Sequence, residues 1–137
     1  METVSANYDY QKSLLALYHL IIHADGELTE KELKMGELMR DHEDINKDFY
    51  TTYLESVSEA HPEKIFTDCI NSLKKCSYED RARCIAWLSN IANVDGFMDK
   101  REWEIIYRLY SKELHVDLND ILSIQKTLPR GLFGTLK

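Results

Sequence analysis

Two prolines and five glycines in 137 residues leave little turn material, which disfavours an architecture of short strands and tight turns. Only three cysteines occur, Cys69, Cys76 and Cys84, and no two of them form a CxxC pair. Neither a zinc knuckle nor a redox pair is therefore supported. In a chain long enough to fold without staples they read as small buried apolar residues, as in a reducing cytosol. Runs of Lys and Arg interleaved with aromatics are missing, and a net charge of −7 repels phosphate backbones, so nucleic acid is not an expected partner. The longest apolar run, 14–22, is interrupted by Tyr18 and His19 and falls far short of a membrane span. The first ten residues carry Glu2 and Asp9 and no apolar stretch, which is not the pattern of a signal peptide. Glycine-rich phosphate loops, HExxH and GxSxG are absent as well, and acidic pairs such as Glu30/Glu32 read as solvated faces, so catalysis is not expected.

What is present is helical periodicity. The length fits one domain over 1–137, with a core at about 10–128 and flexible tails at 1–9 and 129–137. Leu14, Leu15, Leu17, Tyr18, Ile21 and Ile22 recur at helical spacing and cover most of a helix, which predicts that it is central. A second helix is predicted over 30–42 with Leu33, Met35, Leu38 and Met39 facing inward, opened by a Thr29/Glu32 capping box. A third follows at about 46–60, and a fourth from Pro62, a residue suited to a first helical position, to about 76. Ser77 with Asp80 and Asp99 with Glu102 open the fifth and sixth, and Asp117 a short seventh that Pro129 ends. The expectation is all-α: a compact bundle of about seven helices.

The most informative feature is an internal repeat at an offset of 70 residues. Ala16 falls on Ala86, Ile21 on Ile91, Asp25-Gly26 on Asp95-Gly96, Leu28 on Met98, Glu32 on Glu102, Leu33 on Trp103 and Met39 on Leu109. Two copies are too few for a solenoid and predict two helix–turn–helix units facing each other in one bundle. One reading of the turn is structural: glycine in the left-handed conformation ends a helix, Leu28 or Met98 tucks the loop into the core, and Thr29 or Asp99 with its glutamate caps the next helix. This explains every position except the aspartate before the glycine. The other reading is half of a calcium loop, in which an acid precedes the glycine and a glutamate stands six residues beyond it. Ile21 and Ile91 occupy the first ligand position, which excludes a full EF-hand. What survives is a weaker divalent-cation site, for calcium, magnesium or zinc, on Asp25, Glu32, Asp95, Asp99 and Glu102.

The segments Ala24-Asp25-Gly26-Glu27-Leu28-Thr29-Glu30-Lys31-Glu32 and Val94-Asp95-Gly96-Phe97-Met98-Asp99-Lys100-Arg101-Glu102 resemble the turns of the tellurite-resistance TerB family and the wider TerB-like group. With the flanking helices the resemblance covers roughly residues 10–125. It implies a compact bundle of about seven helices with an internal pseudo-two-fold, and a bacterial stress-response role without established catalysis; the cysteine usage sets the expected location as cytoplasmic. It also implies a metal-responsive or scaffolding module that works with protein partners, some of them in membrane complexes. The family's acidic turn positions fall on Asp25, Glu32, Asp95 and Glu102. A related domain accompanies membrane-anchored DnaJ-type co-chaperones, so a purely structural interaction domain is the alternative, with the acids acting only as caps.

Two further groups of residues stand out. His19 and His23, four apart on one helical face with Asp25 beyond, have spacing that can hold zinc, but Ser89 and Asn93 replace them in the second copy, and the simpler reading is a polar stripe. Trp103 is expected in the core, and Phe97 on the surface as a partner contact or folded onto its own domain.

Overall fold

The computed structural model describes residues 2–24, 26, 28–94 and 99–129, with side chains from Tyr8 onward. Asp25, Glu27, Asp95, Gly96, Phe97 and Met98, and the segment 130–137, lie outside the described residues. The described residues form seven α-helices and no strand: α1 (Glu2–Ile22), α2 (Glu30–His42), α3 (Lys47–Val57), α4 (Pro62–Leu73), α5 (Tyr78–Ala92), α6 (Lys100–Tyr107) and α7 (Leu118–Gln125), with α6 prolonged by a π-helical segment, Arg108–Glu113.

Short polar side chains start most of these helices, because each start leaves backbone amides without partners. Asn46 Oδ1 accepts from the Phe49 N–H at 3.0 Å, Ser77 Oγ from Asp80 at 3.1 Å and Asp117 Oδ1 from Asn119 at 2.7 Å. His61 Nδ1 accepts from Glu63 at 3.2 Å, ahead of Pro62 in the first turn. Beyond the C-cap of α2, Asp44 takes φ +58°, and the π-helical segment is followed by His115 at φ +53°. Residues other than glycine thus close both helices in the left-handed region.

α1 and α5 form the centre. Residues 13–18 and 84–89 are buried without interruption, which a helix achieves only when other elements cover it on more than one side. α1 packs against α3, α4 and α5, while α5 packs against α2, α6 and α7. All three cysteines are buried, as expected. Element boundaries keep the 70-residue offset: α1 and α5 end at Ile22 and Ala92, and α2 and α6 begin at Glu30 and Lys100.

Three packing expectations are corrected. Leu33 is 44% exposed and Leu38 is also exposed, because the inward face of α2 runs through Glu32, Met35, Gly36 and Met39, the 3–4 spacing of a single helical stripe. A glutamate and a glycine hold the inward positions that an apolar pattern assigns to leucines. Trp103, 42% exposed, is likewise outside the core, since Glu102, Ile106 and Leu109 point inward there. It packs instead on Tyr107 and Tyr110, with ring centroids 5.7 and 6.1 Å away. Leu28 does not tuck inward either, and stands exposed on the first turn.

Candidate functional site

The first corner is built by the end of α1. The Ala24 N–H donates to Ile21 O and the Gly26 N–H to His23 O, both at 3.2 Å, and Gly26 takes φ +81°. That conformation is easy for glycine and strained for other residues. The chain then reaches Thr29, whose hydroxyl accepts from the Glu32 N–H at 3.2 Å while the Thr29 N–H donates to Glu32 Oε1 at 3.0 Å. This is the predicted reciprocal box. The second corner repeats it: the Asp99 N–H donates to Glu102 Oε1 at 3.0 Å, and the Asp99 side chain caps the first turn of α6. Asp99 Oδ1 also accepts from the Arg101 N–H at 2.8 Å and lies 3.5 Å from the Arg101 guanidinium.

Glu32 is 2% exposed and Glu102 is 3% exposed. Carboxylates at this depth require compensation. The backbone amides of the box supply part of it, and the positive end of each helix dipole favours a negative charge there. Of the five predicted cation ligands, the structure places Glu32, Asp99 and Glu102 at helix N-termini as caps. Asp25 and Asp95 lie outside the described residues. Among the described residues no three His, Cys, Asp or Glu side chains gather in a way that could hold a metal ion.

Sequence reasoning missed how α1 is fastened to the first corner. The buried Tyr18 hydroxyl donates to Glu32 O at 3.1 Å, and burial, foremost, pushes its pKa well above the ordinary tyrosine value. Tyr18 fits there because Gly36 sits one turn along α2, where an added Cβ would overlap the Tyr18 Oη and Cζ and lie 2.7 Å from Tyr50 Oη. The equivalent positions in the second unit are Leu88 and Ile106, both buried, so a large–small pair in one unit becomes two middle-sized residues in the other. The available signal was Gly36 itself, an interior helical glycine that disfavours the helix unless packing requires it.

A second polar feature joins the central helices. Glu43, the C-cap of α2, accepts through Oε2 from Arg83 Nε at 2.5 Å, Trp87 Nε1 at 2.6 Å and the Tyr10 hydroxyl at 3.5 Å. α1, α2 and α5 therefore meet at one carboxylate. Burial pulls the Arg83 pKa down, but the hydrogen bond and charge of Glu43 outweigh it and the net shift is upward.

His19 and His23 have ring centroids 4.5 Å apart, and burial, then the neighbouring His23, lowers the His19 pKa. They stand on the ridge between two surface grooves. One, of about 500 Å³, includes Leu20, Phe66, Ile105, Arg101 and Arg108 in its lining. The other, of about 350 Å³, opens between the end of α1, α2 and α3.

These features define an all-helical bundle in which two helix pairs turn through corners closed by buried capping glutamates. The family model for tellurite resistance protein TerB matches residues 11–125, and the chain belongs to the TerB family. No curated protein and no solved structure matches the chain. None of the described helices is long and apolar enough to cross a membrane.

Proposed function

We propose that the chain is a non-catalytic, cytoplasmic TerB-like stress-response module, of the kind associated with tellurite and other chemical stress, that binds a partner protein, a divalent cation or both through its two acidic corners. Supporting this reading most strongly is the pair of buried glutamates, Glu32 and Glu102, held in the same box at the same place in both turns. On this reading Asp25 and Asp95 supply the carboxylate oxygens, and Glu32, Glu102 and Asp99 assist when not capping. Hard oxygen donors of this kind suit calcium or magnesium, and zinc less well. A carboxylate has about four lone-pair sites, so a capping hydrogen bond does not by itself preclude a cation.

A second reading is favoured by the caps themselves: both boxes are complete, and each glutamate has a structural role. On that reading the chain is a structural interaction domain of the co-chaperone accessory type. The double variant Asp25→Asn/Asp95→Asn separates the two. The first reading predicts an unchanged melting temperature with loss of cation or partner binding. A lost fold with no binding phenotype favours the second.

A further inference from the structure

The excess negative charge of this chain is concentrated. Residues 37–59 hold seven carboxylates and two cations, a net −5 out of −7 for all 137 residues. This stretch is the second half of α2, all of α3 and their connections. Against it opens the groove of about 350 Å³, with Ile22, Leu28, Leu33 and Leu54 among its apolar lining. Leu28 and Leu33 are exposed leucines that the fold leaves uncovered. Glu37 and Glu55 line the same groove, are themselves exposed, and neither forms an ion pair among the described residues. The neighbouring groove differs, because Arg101 and Arg108 there balance Glu63 and Glu104.

From this combination we infer that the α1–α2–α3 groove is a docking site for a cationic amphipathic helix of a partner protein. Aliphatic side chains at helical spacing enter between Leu28, Leu33 and Leu54, and Lys or Arg residues beside them meet Glu37 and Glu55. Helix-in-groove recognition needs such an apolar slot, and charge at its edge sets partner choice and encounter rate more than it sets affinity. An acidic or neutral helix would leave both carboxylates uncompensated. The inference rests on the proposed partner-binding role but places the contact beside the first corner rather than in the acids of the turn.

The test is fluorescence anisotropy of the full chain with a labelled peptide of Leu and Lys, about 14 residues long, patterned to give one apolar helical face. A scrambled isomer of the same composition serves as the charge control. The patterned peptide is expected to bind and the isomer to bind much more weakly. Leu33→Ser should weaken binding about ten-fold, the scale of losing one buried aliphatic contact. Glu37→Lys/Glu55→Lys should weaken it by a similar factor at low salt and by less at high salt. Leu118→Ser/Leu122→Ser, at exposed leucines of α7, should change nothing. Thermal melts check that each variant stays folded. Absence of binding, equal binding of the isomer, or an unaffected Leu33→Ser variant overturns the inference. So does self-association that Leu33→Ser abolishes, which would put a second copy in the groove. Loss of the peptide in Asp25→Asn/Asp95→Asn but not in Leu33→Ser overturns the groove and leaves the corner reading standing. The reverse pattern supports the groove even if the corners bind no cation.

Discussion

Replacing Gly36 by alanine should destabilise this protein, although in an ordinary helix interior the same change stabilises by about 1 kcal/mol. The added Cβ would overlap the Tyr18 ring and hydroxyl and press on Tyr50 Oη at 2.7 Å. Tyr18 is fully buried and held by its hydrogen bond to Glu32 O at 3.1 Å, so it has no route outward. Forcing extra volume into such a place costs about 1–3 kcal/mol. Displacing the hydroxyl leaves a buried donor without its acceptor, at about another 1–3 kcal/mol. Set against the gain in helix propensity, the net loss is about 3 kcal/mol. At about 2.1 cal/mol/K per residue, that lowers the melting temperature by about 10 °C. Urea denaturation followed by circular dichroism measures it. Tyr18→Phe alone should cost about 1 kcal/mol, and distinctly less in the Gly36→Ala background, because the two changes act on one contact. An unchanged or higher urea midpoint for Gly36→Ala would refute the close approach of Tyr18 to α2.

Glu43→Gln removes the charge facing Arg83 and should cost about 2 kcal/mol, below the 3–5 of a fully buried pair because Arg83 is partly exposed; an unchanged urea midpoint would contradict the hub. All three thiols should be unreactive in the native state, since burial pushes Cys69 up to about 12 and Cys76 up to about 11, and Cys84 is raised as well; rapid iodoacetamide labelling without denaturant would count against their burial. His19 is held below its ordinary value of 6.5, so the folded state disfavours its proton. Its contribution is complete above pH 6.5 and is lost as pH falls towards the lowered native value. Melting temperatures between pH 7.5 and 5 should fall less steeply for His19→Gln than for the wild type, and parallel curves would refute the assignment.

Much of the fold was legible because helix starts are written locally. Thr29/Glu32, Asn46, Pro62, Ser77, Asp99/Glu102 and Asp117 each mark a helix within a residue or so of its observed start, since a cap acts on amides two or three residues away. The inward face of α2 was not legible from apolar letters alone. Two of its four inward positions are Glu32 and Gly36, chosen for a cap and for a tyrosine that approaches from 18 residues earlier in the chain. Leu28, Leu33 and Trp103 misled for the complementary reason, being apolar residues placed on the outside. Glu43 gave no local sign of its role, because Tyr10, Arg83 and Trp87 reach it only once α1 and α5 are packed. At the site, the paired corners could be read from the repeat, whereas the depth of Glu32 and Glu102 depends on what packs around them.

Whether the acidic corners hold a divalent cation is decided by calorimetric titration of the chelator-treated full chain with calcium, magnesium, zinc and manganese, paired with thermal melts. A cation site at the corners gives saturable binding of at least one of them, abolished in Asp25→Asn/Asp95→Asn. A ligand that prefers the folded state must also stabilise it, by about 2.7 kcal/mol at a hundred times its dissociation constant, or a rise of about 9 °C for a chain of this length. No heat and no shift with any of the four ions would contradict the cation site and leave Glu32, Asp99 and Glu102 as helix caps.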